Sequence, residues 1–361
     1  MADQGTGVDG FALKPGGAEM IDRIQELPRQ LLDAWSLVEG LSLPDHYADA
    51  ANVVICGMGG SAIGGDLTRT IVEDHIRVPV EVVRGYDLPA FVGPDSLVVL
   101  SSFSGTTEEV LSACDRARQR GARRLAVTTG GLLAERATVE GFPLVRFSFG
   151  GRPREAVGYS TLLMLGVLVR LGFVPDVSGD VRDAASLLER MASELGPGAP
   201  PDLNHARALA SWLRGRIGVV YGGGLMAEVA RRWKGQLNEN GKAWAFFEQL
   251  PELNHNAVLG YRFPDDSVEH VAVVVLSSGL NHPRIRLREK LTADLLESSN
   301  IPVEIVEARG ESSLEQLFSA VYIGDFVSYY LARENQVDPS DNRALDVLKE
   351  RLAAEMLPEG A

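Results

Sequence analysis

Cysteine is almost missing from this chain: 361 residues hold two, Cys56 and Cys114. Two thiols in apolar settings make no disulfide framework, and both read as buried free cysteines of a reducing cytoplasm. Positive charge is short as well. Lys and Arg number 35 against 49 Asp and Glu, leaving a formal charge of −14. Nucleic acid and anionic membrane surfaces are met by basic proteins, so neither is an expected partner. A small anion stays open, because loop dipoles and one or two local cations overcome a distant field. No apolar run reaches the length of a membrane span. Residues 1–17 are polar and Gly-rich, without the pattern of a signal peptide, so a frayed N-terminus and a cytoplasmic location are expected. His46, His75, His205, His270 and His282 are scattered without ligand spacing, and no metal is expected. Ser-x-x-Lys, Gly-x-Ser-x-Gly and reactive-cysteine contexts are also missing.

What is present is an ordinary globular composition, 45% hydrophobic and 23% charged, at a length that suits two domains. A helix is expected from Ala18 to Gly40, broken or kinked at Pro28. From Asn52 the chain alternates. Apolar runs at Val53–Cys56, Val80–Val83, Leu97–Leu100, Leu125–Thr128 and Leu144–Phe147 alternate with helix patterns, as in an α/β fold whose parallel strands are buried on both faces. Helices are expected at Ala156–Leu171 and Val181–Leu195. Gly196-Pro-Gly-Ala-Pro-Pro201 holds five turn residues in six positions and reads as a linker. The second half repeats the plan: a strand at Arg216–Tyr221, Gly222-Gly-Gly224, a helix from about Leu225, a strand at His270–Leu276 ending in Ser277-Ser-Gly279, and a strand at Ile301–Val306. Two related α/β domains, 18–195 and 202–361, follow as the expectation, joined by the linker 196–201.

Two loops carry the chemistry. Cys56-Gly-Met-Gly-Gly-Ser61 and Ser101-Ser-Phe-Ser-Gly-Thr-Thr107 each follow a strand and precede a helix. Glycines admit a ligand close to the backbone, and helix-start N–H groups with added hydroxyls favour an anion. Gly60, Ser61, Ser102, Ser104 and Thr107 are therefore candidates for holding a phosphate ester. Two other readings of the first loop stay open. It nearly matches a dinucleotide fingerprint, but the second strand ends in Arg84 where an acid is expected, which would at best suit a 2′-phosphate. It would also serve as a tight turn without a ligand. Arg154, entering an apolar helix, is either one half of a salt bridge or a fixed charge over a developing oxyanion. Glu239, at a helix end among Asn238, Asn240, Gly241 and Lys242, and His255, between two asparagines, are candidate proton-transfer groups.

Together these segments, with Pro153-Arg154, Asn238-Glu-Asn-Gly-Lys242, Glu252-Leu-Asn-His255-Asn256 and Leu348-Lys349-Glu-Arg-Leu352, resemble the sugar isomerase (SIS) superfamily. Within it they look like the bifunctional phosphoglucose/phosphomannose isomerases. The resemblance implies two SIS domains, each a five-stranded parallel sheet flanked by helices in a flavodoxin-like three-layer sandwich, and a homodimer. It implies a sugar phosphate as ligand and no cofactor or metal. Gly60, Ser61, Ser102, Ser104 and Thr107 would hold the phosphate, and Arg154 would stabilise an enediolate. Glu239 would move a proton between C1 and C2, His255 of a neighbouring subunit would help open the sugar ring, and Lys349 would assist near the ring oxygen or phosphate. Where such sequences usually read Ser-Gly-Asn-Thr, this one has Thr106, and Asp338–Asn342 also departs from the family. A SIS protein that binds a sugar phosphate as a regulator, without catalysis, is the alternative.

Overall fold

The computed structural model describes residues 17–355. The expected frayed segment lies outside the described residues apart from Gly17, with which the first helix begins. The anticipated break falls where the sequence places it. Gly17–Gln25 and Leu27–Glu39 are separate helices, and Pro28 sits in the first turn of the second, where its missing N–H has no partner to lose.

Nine strands follow in two parallel sheets among the described residues. The first contains β1 (Asn52–Cys56), β2 (Val80–Val83), β3 (Ser96–Ser101), β4 (Arg123–Thr128) and β5 (Leu144–Arg146), in the order β2-β1-β3-β4-β5. The second contains β6 (Ile217–Gly223), β7 (Ala245–Leu250), β8 (Val271–Ser277) and β9 (Val303–Glu307), in the order β7-β6-β8-β9. The second order repeats the first four places of the first, so the repeat read from the sequence is an architectural one. The expectation of five strands in each sheet fails for the second, which has four among the described residues. Strand β7 was not anticipated. It lies at an edge, its Phe246 is exposed and Glu248 and Gln249 interrupt it, so it lacks the continuous apolar run of a central strand.

Strand alternation sorts side chains into distinct cores. Val53, Ile55, Leu97, Val99, Leu125 and Val127 face a large central cluster, while Val54, Cys56, Val98, Leu100 and Ala126 face a smaller outer one. In the second sheet Val220, Ala272, Val274 and Leu276 join the same central cluster, and Tyr221, Val273 and Val275 face another outer one. Each sheet thus turns one face to a shared layer of helices. The middle of that layer is the helix Ser313–Glu334, whose residues from Leu314 to Ala332 are buried except Glu315, and which packs on Ser178–Leu195, His205–Leu213 and Ala227–Glu239. Cys56 and Cys114 are buried and free, and burial pushes the Cys56 thiol up to about 12. Among the described residues no helix is long and apolar enough to cross a membrane. Phe318, fully buried in that central helix, gives a direct check of the shared core. Phe318→Ala should cost about 3–5 kcal/mol, read as a fall in the urea midpoint.

Candidate active site

In a parallel sheet of this order the connections leave β1 and β3 in opposite directions, so a crevice opens beyond their carboxyl ends. Both candidate phosphate loops sit at this point, because β1 and β3 are hydrogen-bonded neighbours. The helix Gly59–Val72 starts directly after the first loop, and Glu108–Gln119 after the second, with Thr107 at its extended N-cap position. One bond ties the loops together: the Phe103 N–H donates to Ser61 Oγ at 3.2 Å. Within the second loop Ser102 Oγ lies 2.8 Å from Thr107 Oγ1 and accepts from the Gly105 N–H at 3.0 Å. The departure at Thr106 is accommodated locally, since Thr106 donates from N and Oγ1 to Ser104 Oγ at 3.2 and 3.0 Å. Gly105 is at φ +68°, and a Cβ there would meet Gly130 O at 1.8 Å. All five candidate phosphate residues therefore lie beyond the carboxyl ends of the neighbouring strands β1 and β3.

Gly60 joins these loops to the next element. A Cβ at Gly60 would lie 2.4 Å from Pro153 O, so only glycine lets the helix start press against the Pro153–Glu155 turn. That turn delivers Arg154, 3% exposed. Its Nη1 donates to Asn342 Oδ1 and its Nη2 to Pro339 O, each at 2.9 Å. Nη1 also lies 3.6 Å from Glu239 Oε2. Both readings of Arg154 thus meet in one geometry, an ion pair inside a candidate site. Burial lowers its pKa, with Glu239 opposing, but an arginine stays cationic after such a shift. Its backbone is held too: Arg154 O accepts from Arg232 Nη2 at 2.7 Å. Arg232 pairs with the buried Asp325 at 3.2 Å, and Gln236 Nε2 donates to the same carboxylate.

Glu239 is the last residue of the helix Ala227–Glu239, and its side chain is 35% exposed. A helix C-terminus is unfavourable for a carboxylate, and the Arg154 cation offsets this. Glu239 opens onto a cleft of about 960 Å³ lined also by Asn238, Lys242, residues 337–338 and residues 341–345. Lys242 has its pKa lowered by burial and then by Arg154.

Two predicted site residues are not brought to this place. His255 ends the short turn Glu252–His255 after β7; it is exposed and makes no hydrogen bond, ion pair or ring contact with Arg154 or Glu239. Lys349 is exposed on the helix Arg343–Ala354, none of whose described side chains is buried. Sequence reasoning gave no role to Asn342, Pro339, Arg232 or Asp325. Only Asp325 carries a signal, as an acid inside an otherwise apolar helical run. Arg84, which would at best suit the 2′-phosphate of a dinucleotide, is engaged by the buried Asp66. The matching crevice of the second sheet is filled from within: Asn281 Nδ2 donates to Gly223 O at 3.0 Å and to Glu289 Oε1 at 2.9 Å, and Ser277 Oγ donates to Glu289 Oε2 at 2.6 Å.

Two α/β units of matching strand order, with Gly- and hydroxyl-rich loops at the strand ends, have the architecture of SIS proteins. The profile of the bacterial phospho-glucose isomerase C-terminal SIS domain matches residues 202–352. The tagatose-6-phosphate ketose/aldose isomerase of Escherichia coli superposes with a TM-score of 0.69 at 18% identity, covering 91% of this chain and 98% of that one, a likeness of fold. The bifunctional phosphoglucose/phosphomannose isomerase of Caldicellulosiruptor bescii is 38% identical over 335 residues, 92% of this chain and 99% of the relative. That of Aquifex aeolicus is 34% identical over 328 residues, 89% of this chain and 98% of the relative. The chain belongs to the bifunctional phosphoglucose/phosphomannose isomerase family.

The Asp325–Arg232 pair offers a test of how Arg154 is held. Asp325→Ala leaves a buried guanidinium unpaired and should destabilise the fold by about 3–5 kcal/mol, visible as a lower urea midpoint.

Proposed function

We propose that this chain is a sugar-phosphate isomerase that interconverts glucose 6-phosphate, and mannose 6-phosphate, with fructose 6-phosphate by proton transfer through an enediolate. The observation that carries it is Glu239 Oε2 placed 3.6 Å from the buried Arg154 guanidinium, beside two hydroxyl-bearing loops. The relatives of matching length bear the names of both activities.

In this scheme the phosphate takes the N–H of Gly60 and the hydroxyls of Ser61, Ser102, Ser104 and Thr107. The Glu239 carboxylate removes the proton from C2 of the open-chain aldose. Electrons of the broken C–H bond form the C1–C2 double bond, and the carbonyl electrons move onto O1. Arg154, held by neutral oxygens, stabilises that developing charge. Glu239 returns the proton to C1, and the proton of the C2 hydroxyl passes to O1. The product is the ketose, with no net redox change and no metal in the route. Return of the proton to C2 on either face relates the glucose and mannose epimers. A neighbouring subunit's His255 would assist ring opening, which makes a homodimer part of the proposal. Lys349 would approach the ring oxygen or phosphate. The division into units 18–195 and 202–361 about the linker 196–201, and a cytoplasmic location, belong to the same proposal.

A non-catalytic binding protein has no need of a carboxylate beside a buried guanidinium, so the isomerase is favoured. Turnover of fructose 6-phosphate and of mannose 6-phosphate, each in a coupled assay with excess EDTA, tests it. Glu239→Gln should lower kcat by about 10²–10⁴-fold while inorganic phosphate still raises the melting temperature. Arg154→Met should lower kcat by about 10²–10³-fold. Unchanged turnover in Glu239→Gln would end the mechanism.

A further inference from the structure

We infer that Lys242 is a positioning residue for this reaction: it fixes the segment from Pro339 to Asn342, and that segment sets the Arg154 guanidinium. The inference rests on Arg154 as the stabiliser of the enediolate. Both terminal nitrogens of Arg154 are held by this segment, through Asn342 Oδ1 and Pro339 O. Neither acceptor is charged. The two neutral oxygens orient the cation, while the Glu239 carboxylate stays at 3.6 Å, outside hydrogen-bond distance.

The segment has no regular structure of its own. It links Ser313–Glu334 to Arg343–Ala354, and the second of these helices offers it no buried anchor. Asn335 Nδ2 fastens its approach to Gly241 O at 3.0 Å. Over the site itself the fastening is Lys242. Its Nζ donates to Pro339 O at 3.2 Å, to Asp341 O at 2.5 Å and to Glu239 O at 2.5 Å. An ammonium has three protons, and here three carbonyls take them. Pro339 O is shared by Lys242 and Arg154, so a shift of the lysine is felt directly at the guanidinium. Lys242 also holds φ +51°, a left-handed conformation uncommon for lysine. The conformation belongs to the turn that closes the Ala227–Glu239 helix, where the Ala243 N–H donates to Leu237 O at 3.1 Å. One side chain thereby couples the last turn of the Glu239 helix to the two acceptors of Arg154.

The charged groups facing Lys242 are Arg154, Glu239, Asp338 and Asp341. Burial and Arg154 bring its pKa below the ordinary lysine value despite the three acids. Loss of the proton removes one donor and slackens the segment. The rate should therefore fall on the alkaline side through this lowered pKa. An arginine at 242 keeps its charge, so the alkaline fall should move to higher pH.

The test compares wild type, Lys242→Met, Lys242→Arg, Asn342→Ala and Lys242→Met/Asn342→Ala, with fructose 6-phosphate as substrate and Glu239→Gln in parallel. Lys242→Met should lower kcat and kcat/KM together by about 10–100-fold with KM within about threefold, because the phosphate loops are untouched. The double variant should be no worse than about twofold below Lys242→Met, since both residues act through one segment. Lys242→Arg should recover turnover to within about threefold of wild type and shift the alkaline limb. If Lys242→Met shows no cooperative melting, Asn342→Ala decides by the same kcat and KM comparison. Wild-type kcat in Lys242→Met, multiplied losses in the double variant, or an unmoved alkaline limb in Lys242→Arg overturns the inference. Any of these alongside an inactive Glu239→Gln leaves the isomerase reading standing, whereas an inactive wild type overturns both.

Discussion

A guanidinium removed from water must find acceptors, and the arrangement of this molecule around Arg154 follows from that requirement. Its two terminal nitrogens draw in Pro339 and Asn342 from the C-terminal segment. Its carbonyl receives Arg232, and Arg232 in turn is answered by Asp325 in the central helix. The preceding proline carbonyl presses on Gly60 in the first turn of the helix that follows the first candidate loop. One turn thus ties the first sheet, two helices of the second half and the chain's last connection to the same point. The half-exposed Glu239 carboxylate completes the set from 3.6 Å. It is near enough to share the field of the cation and open enough to meet a substrate.

The duplicated architecture makes the asymmetry of the molecule informative. Both sheets have a crevice where the connections diverge, and both crevices are bordered by Gly- and Ser-rich loops. In the first, among the described residues, the Ser102, Ser104 and Thr107 hydroxyls bond to one another and to loop donors. In the second, the chain places its own carboxyl group against the loop. Glu289 is buried, accepts from Ser277 and Asn281, and has its pKa raised by burial against those hydrogen bonds. The repeat therefore gives a common scaffold whose two crevices are lined differently.

The shared core explains why the halves hold this relation. Val53 and Val220, from different sheets, belong to one apolar cluster, and the Ser313–Glu334 helix is buried because helices of both halves surround it. Interfaces of that kind are close-packed and resist small displacements. Arg154, carried by the first half, can then meet Glu239 and Asn342, carried by the second, with a defined geometry.

Much of this was determined by the sequence alone. Strand positions in the first sheet follow from short Val/Ile/Leu runs, because both faces of a central parallel strand must be apolar. The two loops are legible because glycine and hydroxyl residues between strand and helix have few other uses, and the resemblance of the whole chain to one family supplied the fold class. Strand β7 was not legible, since an edge strand with an exposed face needs no apolar run. The five-strand count for the second sheet was carried over from resemblance and did not hold. Only the tertiary structure decided what Arg154 touches. Asn342 is 188 residues away from it in the chain, and no periodicity or spacing encodes a contact at that distance. The same is true of Lys242, whose motif was visible but whose three carbonyl partners include two from the far C-terminal segment. Local sequence sets which elements form, through propensity and burial. Which polar groups satisfy one another is settled only when the chain closes and water is expelled.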